Sequence, residues 1–309
     1  MANSSGLNRT GVLSRVTVAA ITAALVGTTT AAVAADAPQP TRTASAVQKA
    51  APKASTLAAD SASTASTVAD GELRGVDGYG YMYAYLPNGT GGFTDRQYVG
   101  SGWKYTNQLT MADQNGDGET DGAWDVTGGT LSYTAWGQDG VSLGGGWGIY
   151  NKVVSTGNLG GAAAPDVLAR DTAGNLYLYL GYGTGKLASR VKVGSSWNVF
   201  NQITGKGDMN GDGKDDVIAR DTSGYLWLYP GTGNYLKPFG NRVKAGSGWN
   251  GMTAFVSPGD VNFDGIPDVV ARDSSGVLWL YPGSGIASPA LGPRTKIGTG
   301  WNTYRLLFS

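Results

Sequence analysis

The sequence contains neither cysteine nor histidine. Without cysteine, no disulfide bond can stabilise the fold. Without histidine, the chain lacks the commonest general base and the commonest transition-metal ligand. Serine–histidine and cysteine–histidine catalysis are therefore excluded within this chain. No carboxylate pair stands apart from the repeated motifs described below, so the sequence predicts a binding protein and not an enzyme.

Long hydrophobic runs and a large excess of one charge are also missing. The only long apolar stretch, residues 16–25, follows Arg9 and Arg15 and leads to Ala-Val-Ala at 32–34. This pattern predicts a secretory signal peptide over residues 1–34, because the stretch is too short for a membrane span. We therefore expect a secreted, extracellular protein. Removal of the signal peptide takes away two of the 23 basic residues and none of the 23 acidic ones. The remaining chain has no excess of basic residues, which disfavours nucleic-acid binding.

Two further regions differ sharply in composition. Residues 35–70 are nearly all Ala, Ser, Thr, Pro, Gln and Lys, and they predict a disordered linker. Residues 71–309 are rich in Gly, Tyr, Trp and Asp, and they are numerous enough to form one sizeable folded domain.

This domain is built from an internal repeat. Three copies align closely: "PDVLARDTAGNLYLYLGYGTG" from Pro165, "DDVIARDTSGYLWLYPGTG" from Asp215 and "PDVVARDSSGVLWLYPGSG" from Pro267. Each leads to a second block that ends in Trp-Asn, and these tryptophans, Trp197, Trp249 and Trp301, fall 52 residues apart. Two weaker copies precede them, which makes five repeats in the period range of propeller blades.

Each repeat is predicted to form four short strands. In the copy that begins at residue 216 these are residues 216–221, 225–229, 241–245 and 249–256, separated by Gly- and Pro-containing turns. No segment shows a helical period. The sequence therefore predicts an all-β fold, a β-propeller of five four-stranded blades, whose closed ring joins the first and last strands. The repeated Arg-Asp steps (Arg170-Asp171, Arg220-Asp221, Arg272-Asp273) are interpreted as bridges between strands.

Three acidic loops precede the first strands of their repeats. Acidic or amide side chains occupy positions 1, 3, 5 and 9, with glycine at position 6 and the backbone carbonyl of position 7 as a further ligand. Hard oxygen ligands on a tight turn favour Ca²⁺ in a structural role. The predicted ligands are Asp113, Asn115, Asp117, Glu119 and Asp121; Asp208, Asn210, Asp212, Lys214 and Asp216; and Asp260, Asn262, Asp264, Ile266 and Asp268. The copy at Asn158 keeps only Asp166 and is predicted to bind no metal. The alternative is that these acids only form Asx-turns.

These motifs resemble two known families. The acidic loop followed by "DVxARDxSGxLWLYPG" resembles the FG-GAP, or VCBS, repeat of secreted bacterial proteins and of the integrin propeller. The Gly-rich turn with Trp-Asn, followed by an Asp-x-x-Gly-x-Leu-Tyr strand pair, is similar to the repeat of tachylectin-type five-bladed propeller lectins. The first two repeats depart from that pattern, since Trp103 precedes Lys104 and Trp147 precedes Gly148.

The resemblance implies a binding function, and two versions remain open. In the first, the chain is a multivalent lectin for glycans or cell-surface polysaccharide. Its sugar-binding pairs would be Trp197 with Asn198, Trp249 with Asn250 and Trp301 with Asn302, unless these tryptophans pack between blades. In the second, the propeller is the protein-interaction subunit of a secreted adhesion or antibacterial toxin complex, with other secreted proteins as partners.

Overall fold

The computed structural model describes residues 71–162 and 164–309, so the predicted signal peptide and linker lie outside the described residues. The described chain forms five antiparallel sheets of four strands each. In chain order the strands are β1 (Leu73–Asp77), β2 (Met82–Tyr85), β3 (Gln97–Gly100), β4 (Thr106–Ala112), β5 (Gly122–Thr127), β6 (Thr130–Ala135), β7 (Val141–Gly144), β8 (Tyr150–Ser155), β9 (Val167–Asp171), β10 (Leu176–Tyr179), β11 (Val191–Gly194), β12 (Phe200–Thr204), β13 (Val217–Asp221), β14 (Leu226–Tyr229), β15 (Val243–Gly246), β16 (Met252–Gly259), β17 (Asp268–Asp273), β18 (Leu278–Tyr281), β19 (Thr295–Gly298) and β20 (Tyr304–Phe308).

The five sheets are the blades of a β-propeller, as the repeat predicted. Blade 1 contains β20, β1, β2 and β3 from the axis outward; blade 2 contains β4–β7, blade 3 β8–β11, blade 4 β12–β15 and blade 5 β16–β19. The inner strands β4, β8, β12, β16 and β20 are neighbours around the axis. No helix of the described residues combines the length and apolarity that a membrane crossing needs.

Blade 1 closes the ring, because its inner strand comes from the other end of the described chain. Strand β20 pairs antiparallel with β1, and Arg74 faces Phe308 while Val76 faces Leu306. This pairing satisfies the backbone groups that β1 would otherwise present as an open edge. The predicted ring closure is confirmed.

Within a blade, alternation of side chains explains how the strands are buried. In β14, Leu226 and Leu228 are fully buried, whereas Trp227 and Tyr229 are half-buried on the other face. The hairpin before β14 is tied by Asp221, whose Oδ1 accepts the Ser223 amide at 2.9 Å and the Tyr225 amide at 3.0 Å. Both faces of the strand are therefore covered, as expected for sheets stacked against neighbours.

One predicted strand begins in the wrong place. Residues Trp249–Gly251 form a single 3₁₀ turn, and the strand that follows, β16, belongs to the next blade. Gly248 precedes the turn with φ of 82°, a left-handed conformation that glycine adopts without strain. The turn arises because the chain must cross from the outer strand of one blade to the inner strand of the next.

The hydrophobic core consists of five clusters, each between two neighbouring blades. Between blades 4 and 5, Leu226 and Leu228 pack with Phe255 and Val269. Because no blade has a core of its own, each blade depends on both neighbours for its burial of apolar surface.

Buried arginines add a polar connection between blades. The Arg220 Nη1 donates to the carbonyl oxygen of Trp249 at 2.9 Å and to that of Met252, while its Nε donates to Asn201 Oδ1 at 2.7 Å. Arg170 makes the same contacts in its blade. Arg272 is partly exposed; it donates to the carbonyls of Trp301 and Tyr304, and its Nε donates to the Thr253 hydroxyl at 3.1 Å. The arginines of the Arg-Asp steps therefore bridge strands, as predicted, through hydrogen bonds to carbonyl and side-chain oxygens, whereas each aspartate accepts amides of its own hairpin.

Candidate metal loops and inter-blade clefts

The three acidic loops connect the inner strand to the second strand in blades 2, 4 and 5. In blade 4, Asp208 accepts the Gly211 amide at 2.7 Å through Oδ1 and the Gly213 amide at 2.6 Å through Oδ2. In the other two loops, Asp113 and Asp260 accept the amides at the corresponding positions. The three loops thus fold in the same way, with the side chain of position 1 directed into the turn.

Asparagine at position 3 donates to the carboxylate at position 5. The Nδ2 of Asn210 lies 3.3 Å from both Asp212 Oδ2 and Asp216 Oδ1. Asn115 and Asn262 contact their position-5 aspartates at 3.0 and 2.9 Å. In this arrangement no group of three or more Asp, Glu, His or Cys side chains among residues 71–162 and 164–309 is arranged to hold a metal ion. The oxygen donor set itself fits Ca²⁺, provided that each asparagine presents its amide oxygen.

Position 9 has a structural role that does not depend on metal. Asp216 is fully buried, and its two oxygens accept the amides of Met209 at 3.0 Å and Gly231 at 2.9 Å. It therefore ties the loop to the turn that follows β14. Burial raises the pKa of the Asp216 carboxyl to about 7, and the nearby charges of Asp212 and Asp208 act in the same direction.

The loop of blade 3 keeps this tie and has lost the other acids. Asp166 accepts the amides of Gly160 at 2.7 Å and Gly181 at 3.2 Å, and burial raises its pKa to about 6. The Asn158 Nδ2 donates to the carbonyl of Ala162 and not to a carboxylate. This loop therefore keeps the contacts of Asp166 and an amide contact at position 1, from Gly161 to Asn158 Oδ1 at 2.8 Å, but it lacks the carboxylates at positions 1 and 5 that the loops of blades 2, 4 and 5 contain.

The tryptophans of the Trp-Asn pairs lie between blades. Trp197, Trp249 and Trp301 are only 6–7% exposed. Each indole packs on a tyrosine of the next blade, with ring centroids 4.7, 4.3 and 4.5 Å apart. The structure therefore places these indole faces in blade packing and not on an open surface.

The asparagines of the pairs are exposed, and two of them are already hydrogen-bonded. The Nδ2 of Asn250 donates to the Ser223 carbonyl at 3.1 Å, and that of Asn302 donates to the Ser274 carbonyl at 3.0 Å. Asn198 is also exposed and lies beside the corresponding turn at Gly174. Asn250 and Asn302 thus fasten the hairpins of their own blades.

A cavity of about 230 Å³ lies in the cleft between blades 5 and 1. Its lining residues are Tyr85, Arg96, Thr299, Gly300, Trp301, Thr303 and Tyr304. Arg96 lies over the Tyr83 ring, 4.7 Å from its centroid, and the Tyr85 hydroxyl is hydrogen-bonded to that of Tyr304. The cleft combines an aromatic wall, a guanidinium group and the Gly-Trp turn of the neighbouring blade.

Three other clefts have the same composition. Strand register places a tyrosine and an arginine of one blade beside the tryptophan of the blade before it. The four sets are Trp147, Tyr179 and Arg190; Trp197, Tyr229 and Arg242; Trp249, Tyr281 and Arg294; and Trp301, Tyr85 and Arg96. In the cleft between blades 1 and 2, Thr134 replaces the tyrosine and Gly140 replaces the arginine, so that cleft lacks both side chains.

The cleft arginines are held in similar ways. Arg190, Arg242 and Arg294 lie over the ring of Tyr177, Trp227 or Trp279, with 4.2–4.4 Å between guanidinium and ring centroid. Arg242 also donates to the Tyr229 hydroxyl at 3.3 Å, and Arg294 donates to the Tyr281 hydroxyl at 3.4 Å. Within the described part of the chain, no ion pair joins these arginines to a carboxylate within 4 Å.

Sequence reasoning did not identify these arginines as functional. The available signal was the first residue of the repeated "RVKVG", "RVKAG" and "RTKIG" blocks, which places Arg190, Arg242 and Arg294 next to alternating aromatics. A basic residue at one repeat position, facing half-buried aromatic side chains, is the pattern that could have marked the clefts.

Comparison with known proteins supports the fold. Residues 208–271 match the family model of the FG-GAP-like repeat, and no curated protein matches the chain. One solved structure, from work on the de novo evolutionary emergence of a symmetrical protein, is 12% identical over 77% of this chain and 98% of that chain, with a TM-score of 0.51. At this identity the likeness shows the fold alone.

Two further solved structures are less similar in shape. The BP39L lectin from Burkholderia pseudomallei is 14% identical, with coverage of 73% of this chain and 69% of that chain and a TM-score of 0.47. The calcium-binding protein regucalcin from Agrobacterium tumefaciens strain C58 is 14% identical, with coverage of 75% of each chain and a TM-score of 0.40. The chain is thus a five-bladed β-propeller that carries an FG-GAP-like repeat over residues 208–271.

Proposed function

We propose that this protein is a secreted, multivalent carbohydrate-binding module stabilised by Ca²⁺. The observation that supports the proposal is the fourfold recurrence of a cleft with the same tryptophan, tyrosine and arginine. A feature needed only for packing would be expected in all five clefts, and one cleft lacks both the tyrosine and the arginine. The chain contains no histidine or cysteine for catalysis, which also favours binding.

The chemistry of the clefts favours a sugar with an acidic group. A guanidinium has five N–H donors and no acceptor, and one tyrosine hydroxyl satisfies only a small part of that capacity. Carboxylate and phosphate oxygens match the remaining donors in a bidentate geometry. The aromatic side chains around each arginine supply apolar surface for a sugar ring. We therefore propose acidic polysaccharides as the ligand class.

Repetition makes weak sites useful. Four clefts on one rigid ring can engage four residues of the same polysaccharide or of a polysaccharide-coated surface. The second and later contacts then occur at a high effective concentration, so the total affinity exceeds that of each site by a large factor. This is the expected behaviour of a lectin that recognises surfaces and not free sugars.

The first prediction concerns binding. The double variant Arg242→Ala, Arg294→Ala should bind an immobilised acidic polysaccharide, such as polygalacturonate, at least tenfold more weakly than the unmodified protein, because two of four clefts lose their guanidinium. Surface plasmon resonance measures this change. Lys237→Ala removes an exposed charge outside the clefts and serves as the matched control. Equal binding by the double variant, or equal binding of neutral dextran, would contradict the proposed site.

Calcium is proposed as a structural ion in the loops of blades 2, 4 and 5. The side chains at positions 1, 3, 5 and 9 would hold it, together with the backbone carbonyls of Glu119, Lys214 and Ile266. The ion would neutralise carboxylates that lie close together in the loop, and it would stiffen the entry to the second strand.

The second prediction couples calcium to pH. In EDTA, stability should fall as pH rises from about 4 to about 7, because the native carboxyls of Asp216 and Asp268 keep their protons above the ordinary aspartate pKa of about 3.9. The native state then binds more protons than the unfolded state across this window. Calcium should remove this loss for both groups, so it should raise the melting temperature more at pH 8 than at pH 5.

Differential scanning calorimetry checks this prediction, and metal analysis gives the stoichiometry. Asp212→Ala should reduce the calcium response, whereas Asp139→Ala, at an exposed aspartate outside the loops, should leave it unchanged. A calcium content of zero at millimolar free calcium would sink the calcium proposal.

A protein-interaction role is the second candidate. Large apolar side chains are exposed on loops that connect the first strand to the second or the third to the fourth, and these loops lie at one end of the ring. They are Tyr182, Tyr235, Leu236, Phe263 and Ile286. If this role is correct, the double variant Leu236→Ser, Phe263→Ser should lose co-purifying secreted proteins while polysaccharide binding stays unchanged.

A further inference from the structure

The inner strands surround an axial channel with a cavity of about 290 Å³. Three cationic residues line it, Lys152, Arg272 and Arg305, together with amide and hydroxyl side chains. Of the described residues that line the channel, none is aspartate or glutamate. The channel is therefore a separate, basic cavity, distinct from the clefts and from the acidic loops.

Two asparagines in the channel have a fixed orientation. The Nε of Arg170 donates to Asn151 Oδ1 at 2.8 Å, and the Nε of Arg220 donates to Asn201 Oδ1 at 2.7 Å. Because a guanidinium can only donate, each amide oxygen must face the arginine. The NH₂ group of each amide is the side that remains available, so both asparagines offer donors to a ligand.

Lys152 is the distinctive residue of the channel. It lies opposite Arg170 in the register of β8 and β9, and the corresponding inner-strand positions in the other blades are Gln108, Gln202, Ala254 and Leu306. Burial and the Arg170 charge lower the pKa of Lys152 to about 8. This is the expected response of an ammonium group that is removed from water and lies near one like charge.

The aspartates that follow the arginines in sequence accept hydrogen bonds from their own hairpins and do not face the channel arginines. Asp171, Asp221 and Asp273 follow the buried arginines, and each accepts backbone amides of its own hairpin. Asp77 does the same in blade 1. The arginine side chains satisfy backbone carbonyls of the 3₁₀ turns, but these dipoles do not cancel their net charge.

We infer that the axial channel binds a small oxyanion, with the Lys152 ammonium and the NH₂ groups of Asn151 and Asn201 as donors. Arg272 and Arg305 also line the cavity, and Arg170 and Arg220 donate to the two asparagines, so these guanidinium groups add to the positive charge at the channel. Hydrogen bonds to an anion from charged donors are stronger than neutral ones, and desolvation in a cavity increases their strength. A tetrahedral oxyanion such as phosphate presents enough oxygens to use donors from two or three blades.

The test is titration of the folded protein with inorganic phosphate in EDTA, at constant ionic strength maintained with chloride. Isothermal titration calorimetry should show saturable binding with one phosphate per chain. Lys152→Gln should weaken it at least tenfold, whereas Lys152→Arg should retain binding. Lys192→Gln changes an exposed lysine of an outer strand and is the matched control, expected to bind as the unmodified protein does.

Each outcome decides the question. Absence of saturable phosphate binding by the unmodified protein overturns the inference, as does equal affinity in Lys152→Gln. A cooperative melting transition in each variant shows that loss of binding is not loss of the fold.

Discussion

Trp249→Ala is expected to lower the free energy of unfolding by about 3–5 kcal/mol, because it removes a large buried side chain from the interface between blades 4 and 5. The indole packs on Tyr281 at 4.3 Å and on Phe255 at 5.8 Å, so the cavity that remains lies where both blades obtain their burial. For a domain of this size the melting temperature should fall by on the order of 10 °C. Chemical denaturation and calorimetry measure the two quantities.

Two variants separate packing from other effects. Trp249→Phe keeps an aromatic ring in the interface and should lose less stability than Trp249→Ala. Asn250→Ala changes the exposed neighbour and should lower stability by only about 1 kcal/mol, since it removes one hydrogen bond at the surface. If Trp249→Ala left the unfolding free energy within about 1 kcal/mol of the original, the assignment of this indole to blade packing would be refuted.

Arg220→Met is expected to lower stability by about 2–4 kcal/mol. The change keeps much of the side-chain volume but removes donors to the carbonyls of Trp249 and Met252 and to Asn201 Oδ1. Buried acceptors without a partner destabilise a fold more than a buried hydrogen bond stabilises it. The effect is thus expected even though burial of a guanidinium is itself unfavourable.

Arg242→Met is the matched control, because Arg242 is an exposed arginine of the same blade. It should change the unfolding free energy by no more than about 0.5 kcal/mol. The pair of variants thus distinguishes an arginine that connects blades from one that faces the cleft. Equal stability of the two variants would refute the connecting role of Arg220.

The repeat made the architecture predictable. The 52-residue spacing of Trp197, Trp249 and Trp301 and the strand-like alternation in "LWLY" are local properties of the chain, and both follow directly from the blade. Ring closure followed from the phase of the repeat at its two ends. The acidic loops were also located correctly, because their glycine and aspartate positions dictate a tight turn with side chains directed inward.

The functional surface was less predictable, because it depends on contacts between blades. The repeats of blades 3, 4 and 5 each contain two arginines, and nothing local distinguishes Arg220, which is buried, from Arg242, which is exposed. Their difference arises from the position of the 3₁₀ turn at Trp249, which leads from this blade to the next and, of these two arginines, accepts hydrogen bonds from Arg220 only. The burial of Trp249 was unpredictable for the same reason. The Gly-rich segment with Trp-Asn predicts a turn, but it does not predict the direction in which the indole points.

The pairing of β20 with β1 also imposes an order on folding. Blades 2 to 5 are each continuous in sequence, so most of their contacts can form early through short loops. Blade 1 cannot be completed until Tyr304–Phe308 reaches Leu73–Asp77, a contact between distant parts of the chain. An open horseshoe with an unpaired β1 edge is therefore the expected last species before the native state. Such an edge can also pair with the β20 of another chain, so strand-exchanged dimers are the expected misfolded product at high protein concentration.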